Sequence, residues 1–343
     1  MIGASKWDLD TPALCVDIDA LDRNIAAMQR ALAPTGVASR PHAKTHKCAA
    51  IAARQLAAGA VGLSCAKVSE AEALWNAGVA PLMMTTSSAT LQKMRRAMAL
   101  RAANPLFVQA VDHEQGARGL DAVAQAAGVV ADVVVDVAVG TRSGVPPGDP
   151  AVALAQTVDR LPHLKLRGLL SYDGSAQHVK GFAARRDYTL KRFEASVATF
   201  ERMKKSGLNT EIFSCGGTGT YNILSKVDGV TDVQVGSYIF MDAQYLEIGG
   251  DGRDDRFADF EPSLTVLATI VNAYFPGRLT TDAGSKALTT FSPGPFVVGE
   301  PGFAYDAGSD EFGMIEFRTS NRTYAVGDTI EMIVPHCDPV VNL

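Results

Sequence analysis

Cysteine is scarce in this chain. The five residues Cys15, Cys48, Cys65, Cys215 and Cys337 are an odd number, and none forms a CxxC pair. That excludes a disulfide framework or a thiolate zinc site as the organising element, and it predicts a reduced compartment. No apolar run approaches the roughly 18–20 residues that a membrane-spanning helix needs. The first eight residues, Met1 to Asp8, hold no apolar signal core, so the expectation is a cytoplasmic protein with no membrane partner. Excess positive charge is missing too: the formal net charge of −5 argues against nucleic acid as the main partner. Internal repeats and low-complexity stretches are absent, and no GxGxxG turn follows the first apolar run.

What the chain does have is 343 residues, 47% of them hydrophobic, enough for one large core and a further module. Short apolar, β-branched runs recur with helical segments between them. The first run, 13–18, leads into a helix near Asp19. Eight further candidate strands follow at 37–43, 61–66, 81–86, 106–111, 131–137, 166–172, 210–215 and 233–236. Alanine-rich amphipathic segments at 71–77, 91–102, 116–127, 151–160 and 182–206 separate them. Strict alternation means parallel strands joined by right-handed crossovers. Eight such units fit a closed (β/α)8 TIM-type barrel, an α/β fold of roughly 220–240 residues, placed at 18–248. An open doubly wound sheet is the alternative, but it favours the missing GxGxxG turn. After a turn-rich linker at 249–255 the pattern is strand-like at 263–272, 278–282, 314–318 and 329–334. This predicts a β domain over 256–343, with residues 1–17 joining it.

Chemistry in such a barrel gathers where strands end. The run Arg40-Pro41-His42-Ala43-Lys44-Thr45-His46-Lys47 follows the first barrel strand. A lysine there is costly unless exposed, paired or chemically employed, and lysine forms imines with carbonyl cofactors. A basic surface turn is the alternative. Lys44 lies nearer the strand end than Lys47, which is expected to face solvent. Arg142 follows the fifth strand, Tyr172 ends the sixth, and His178 comes a few residues later as a candidate general base. The seventh and eighth strands end in glycine/hydroxyl loops holding Thr218, Gly219 and Thr220, and Gly236, Ser237 and Tyr238. Glycines let backbone N–H groups approach an anion, although such clusters also serve as plain tight turns. A reactive lysine with a phosphate cradle suggests pyridoxal 5′-phosphate. Near the C-terminus, His336 and Asp338 flank Cys337. In extended backbone they share a face and can hold one divalent ion, Mn²⁺, Mg²⁺ or Zn²⁺, with Cys337 pointing away. The other histidines read more plainly: His42 and His46 support the lysine, and His113 and His163 lie at the surface or cap helices. Trp7 and Trp75 read as core or interface packing, and Asp282 and Lys286 as part of a turn.

Taken in order, the motifs around Thr11–Leu14, Arg40–Lys47, Gly174–His178, Gly217–Tyr221, Gly236–Tyr238 and Pro335–Pro339 resemble the D-threonine aldolase and D-serine dehydratase-like family. This is a branch of the alanine racemase-type (fold type III) pyridoxal 5′-phosphate enzymes. The resemblance spans nearly the whole chain. It implies a barrel with a C-terminal β domain, a homodimer, and a divalent metal beside the cofactor, Mn²⁺ or Mg²⁺ before Zn²⁺. It implies Lys44 as the cofactor lysine, Arg142 near the phenolic oxygen and Tyr172 near the ring. Thr218, Gly219, Thr220, Gly236, Ser237 and Tyr238 would hold the phosphate. His336 and Asp338 become metal ligands, and His178 the base for a β-hydroxyl. The expected reaction is cleavage of D-3-hydroxy amino acids to glycine and an aldehyde or glyoxylate. A D-serine dehydratase-type elimination to pyruvate and ammonia is the alternative, though the His-x-Asp pair looks like the aldolase side. Aldolases often carry Glu-His-Gly where this chain has Glu311-Phe312-Gly313, so 3-hydroxyaspartate stands beside D-threonine as a substrate. The resemblance also implies a further strand beyond the last residues of this chain.

Overall fold

A computed structural model describes residues 2–140 and 142–343. The chain forms two compact units: one comprises Met1–Ile25 and Ser237–Leu343, the other Ala26–Gly236. The divisions fall inside the helix Ile18–Leu32 and directly after Gly236. None of the described helices is long and apolar enough to cross a membrane.

Strand β1 (Ala13–Val16) belongs to the discontinuous unit. The continuous unit then contributes β2 (Ala38–Ser39), β3 (Leu63–Cys65), β4 (Leu82–Met84), β5 (Phe107–Val111), β6 (Ala131–Asp136), β7 (Leu164–Ser171), β8 (Ile212–Cys215) and β9 (Asp232–Val233). These eight pair in parallel in the order β2-β9-β8-β7-β6-β5-β4-β3. The two end strands meet through a parallel bridge between His42 and Ser64, with the Ser64 N–H donating to the Pro41 carbonyl at 2.8 Å. The sheet therefore closes as the alternation predicts. Strands β5 and β6 are buried along their whole length, so they read as continuous apolar runs and not as alternating ones. Met83, Val108, Ala110, Val134, Leu170 and Ile212, drawn from neighbouring strands, form one packed cluster. Gly168 lies beside the register shift between β6 and β7 with φ of 137°, and a Cβ there would run into the Ile212 carbonyl.

Arg40, whose role the sequence left open, is buried and donates through Nε to Asp232 Oδ1 at 3.0 Å, tying the first barrel strand to the last. Removing one partner of such a buried pair typically costs about 3–5 kcal/mol, because the other charge is stranded.

The discontinuous unit is an antiparallel sheet. Strands β10 (Leu264–Asn272), β11 (Arg278–Thr281), β12 (Phe296–Val297), β13 (Ala304–Asp306), β14 (Gly313–Glu316) and β15 (Thr329–Ile333) join in the order β12-β15-β10-β11-β14-β13, and β1 pairs with β10. The N-terminal run thus supplies a strand, β1, to this sheet. Two short strands, β12 and β13, were not legible in the sequence. Trp7 is 51% exposed, with Lys6 Nζ 4.8 Å from its ring, so of the two expectations, core or interface packing, it is not in the core.

Candidate active site

In the barrel unit, the predicted residues cluster at the carboxyl ends of the strands. Directly after β2 the chain makes a tight turn, Ala43–Thr45, that sets Lys44 half-buried at the strand mouth. His42 builds this turn: its Nδ1 accepts the Lys44 N–H at 3.3 Å, and its Nε2 lies 3.3 Å from Thr85 Oγ1 at the end of β4. His46 Nδ1 accepts the Cys48 N–H at 3.0 Å. Both histidines are buried, so they hold the segment rather than decorate its surface. Lys47 is exposed with φ of 48°, a left-handed turn that separates it from Lys44. Thr45 is fully buried, and its Oγ1 has no hydrogen-bond partner among the described residues.

Arg142 and Tyr172 come together, with the guanidinium carbon 5.1 Å from the ring centroid, an attractive cation–π contact. Thr141, next to Arg142, lies outside the described residues. The loops after β7 and β8 are joined by Gln177, a buried residue the sequence reading passed over. Its Nε2 donates to the Asp173 carbonyl and to Thr220 Oγ1, both at 3.1 Å, and its Oε1 accepts the Gly219 N–H at 3.0 Å. The Gly217 N–H donates to Thr220 Oγ1 at 3.2 Å. These two glycine N–H groups therefore close the loop on itself, where the sequence reading offered them to an anion. Gly219 is required sterically, because a Cβ would overlap the Gln177 carbonyl. Beneath the loop, the fully buried Arg185 donates to the Gly219 carbonyl at 2.8 Å and the Val179 carbonyl at 3.0 Å. His178 ends the short turn Ser175–His178 and is exposed, and Thr218 is buried. Gly236 packs so tightly that a Cβ would lie 2.5 Å from Thr45 Oγ1.

Asp136, the last residue of β6, is a second residue that went unread. Burial pushes its carboxyl up to about 7, the Asp112 carboxylate adds to this, and the Ser143 hydroxyl and Arg142 partly oppose it. The folded protein thus holds a proton on Asp136 where the unfolded chain has lost it. The stability this brings is present below the ordinary value of 3.8 and is lost as pH rises towards about 7. The Asp136→Asn variant lacks this penalty. Thermal melts should show the variant gaining on the wild type between about pH 4 and about pH 7. A gap that is constant across that range would contradict a buried, proton-holding Asp136.

In the discontinuous unit, Ser237 and Tyr238 form a buried turn, with Tyr238 edge-on to Phe260 at 5.5 Å. The extended backbone expected through His336 and Asp338 is not formed: a short helix, Cys337–Val341, begins directly after His336. His336 itself is extended, with φ of −145° and ψ of 127°, and the helical turn starts at Cys337, so the chain is extended on only one side of the pair and Cys337 does not point away from the cluster. Ligand atoms of Asp242, His336 and Cys337 lie within 4.8 Å of one another, and Asp338 Oδ1 is 3.7 Å from Cys337 Sγ. Burial, then the Asp242 and Asp338 charges, raise the Cys337 thiol well above its ordinary range. Imidazole and carboxylate donors meet here beside the sulfur, and that imidazole–carboxylate set fits Mn²⁺, Mg²⁺ or Zn²⁺. Asp242, the organising residue of this cluster, was missed by the sequence reading.

Comparisons agree with both halves. The family model described as alanine racemase, N-terminal domain, matches residues 16–244, and that described as putative serine dehydratase domain matches 263–343. The D-threonine aldolase of Arthrobacter sp is 35% identical over 339 residues, covering 98% of this chain and 87% of that protein. The 3-hydroxy-D-aspartate aldolase of Paracoccus denitrificans (strain Pd 1222) is 31% identical over 348 residues, covering 99% of this chain and 88% of the relative. The crystal structure of D-threonine aldolase from Filomicrobium marinum superposes with a TM-score of 0.93 at 35% identity, covering 98% of this chain and 90% of that one.

Proposed function

Because this chain belongs to the alanine racemase N-terminal domain family and carries the putative serine dehydratase domain behind it, we propose that it is a pyridoxal 5′-phosphate-dependent carbon–carbon lyase. Its substrates are D-3-hydroxy amino acids of the D-threonine or 3-hydroxyaspartate type, and its products are glycine with an aldehyde or glyoxylate. The observation that carries this is Lys44, half-buried at the mouth of the first barrel strand, beside a buried Thr45 hydroxyl without a partner among the described residues. A reactive lysine and an unsatisfied donor on the rim of a closed barrel fit a carbonyl cofactor.

When bound, the cofactor supplies an electron sink for the charge left at Cα as the Cα–Cβ bond breaks. The chain supplies the rest. Lys44 holds the cofactor's carbonyl carbon. Thr218, Thr220, Gly236, Ser237 and Tyr238 would take the phosphate, while Gly219, its N–H held by Gln177 and its carbonyl by Arg185, keeps the β8 loop in shape. Arg142, steadied over Tyr172, would serve the cofactor's phenolic oxygen. His178 takes the proton from the substrate's β-hydroxyl oxygen as general base. His336, through Nε2, and Asp338 would hold a divalent ion, Mn²⁺ or Mg²⁺ ahead of Zn²⁺, which would supply Lewis-acid stabilisation of that oxygen. The same reading has the enzyme work as a cytoplasmic homodimer on a free amino acid.

The second domain's serine dehydratase description supports a second reading: elimination from D-serine to pyruvate and ammonia on the same residues. A product screen separates the two. Purified enzyme with D-threonine, D-serine and the 3-hydroxyaspartate isomers, with Mn²⁺ or Mg²⁺, should release glycine in step with aldehyde or glyoxylate. Pyruvate from D-serine without glycine from any substrate would overturn the aldolase reading.

A further inference from the structure

Asp242 has no exposed surface, and a buried carboxylate is costly unless its oxygens are occupied. They are occupied from three directions. Oδ1 accepts the Tyr245 N–H at 3.0 Å, capping the short helix Ala243–Leu246. Oδ2 accepts the Cys337 N–H at 3.0 Å and lies 2.9 Å from His336 Nδ1. Two backbone donors from separate segments fix the carboxylate before the imidazole is considered. A carboxylate only accepts, so the hydrogen of this pair sits on Nδ1 and is donated to Asp242. In a neutral imidazole the lone pair then belongs to Nε2, and a divalent ion takes an imidazole through its lone pair.

We propose that Asp242 is a positioning residue that sets the tautomer and ring direction of His336, so that Nε2 presents its lone pair to a divalent ion. This rests on the reading of His336 as a metal ligand. It also sorts the three-residue cluster: Asp242, its oxygens taken by three donors, is not a co-ligand of His336 but its support, and the Cys337 N–H helps to anchor that carboxylate. Carboxylate support of a ligating histidine through its far nitrogen also raises the imidazole's basicity.

The test uses metal-stripped enzyme with its cofactor retained. Long-range ¹H–¹⁵N spectra of histidine-labelled protein report the tautomer. The chain has six histidines, and His336→Gln identifies the signal that belongs to His336. Wild-type His336 is expected to carry its hydrogen on Nδ1. Asp242→Asn leaves one acceptor oxygen for three donors, so the hold on the Nδ1 hydrogen weakens, the hydrogen should shift towards Nε2, and calorimetric Mn²⁺ affinity should fall roughly 10–100-fold. Asp242→Glu should recover part of that loss. The outcomes separate the two layers. If His336→Gln leaves Mn²⁺ affinity unchanged, the metal-ligand reading fails. If His336→Gln removes Mn²⁺ binding while Asp242→Asn changes neither tautomer nor affinity, the Asp242 proposal fails alone. Should Asp242→Asn not fold, a wild-type His336 with its hydrogen on Nε2 overturns the proposal by itself.

Discussion

Lys44→Ala is expected to abolish glycine release, with kcat falling on the order of 10⁴–10⁶-fold, the loss seen when a covalent catalytic group is removed. The visible absorbance of the bound cofactor should disappear with it. The fold should survive, because the bond that closes the turn on His42 comes from the Lys44 N–H. That backbone bond is unchanged by truncation, so the thermal midpoint in the absence of cofactor should stay within a few degrees, as for a substitution that opens no cavity. Lys47→Ala is the internal control. Lys47 is exposed and turned aside by its left-handed backbone, so its variant should keep the absorbance and nearly full activity. If the absorbance followed Lys47 instead, the assignment of the cofactor lysine would be wrong.

Chelation of divalent ions is the second large effect. EDTA treatment followed by gel filtration is expected to lower activity roughly 10³-fold, corresponding to several kcal/mol of lost charge stabilisation. The visible absorbance should remain. The two losses separate because Lys44 lies in the barrel unit, whereas His336 and Asp338 lie in the discontinuous unit. Returning Mn²⁺ or Mg²⁺ should restore the wild type and leave His336→Ala inactive. Conversely, Lys44→Ala should bind Mn²⁺ as the wild type does. Full activity in enzyme shown by elemental analysis to be metal-free would end the metal role.

Much of this architecture was legible because the relevant signals are local. Continuous apolar runs such as Val133-Val134-Val135 mark strands buried on both faces, and their strict alternation with helices leaves few topologies. Position at a strand's end then picked out Lys44, Arg142 and Tyr172 without reference to any contact. The short strands β12 and β13, of two and three residues, offer too few positions for a period to show. The helix after His336 went unread because its five residues are too few for a period to show; Pro339 sits in its first turn, where proline's missing N–H has no partner to lose.

The supporting residues were hidden for a different reason. Arg185 meets Gly219 across 34 positions, Gln177 meets the same glycine across 42, and Asp242 meets His336 across 94. No pattern along the chain announces such a pairing, since each residue alone reads as an ordinary surface or capping group. The sequence by itself determined the alternation, the barrel with its β domain and the family, and it placed Lys44 at a strand's end. Only the tertiary structure decided that two glycine N–H groups close their own loop, that Cys337 is buried, and that Asp242 meets His336. Strand order follows from local periodicity and chain connectivity. The state of a buried polar group depends on which distant donors and charges surround it, and folding alone brings those together.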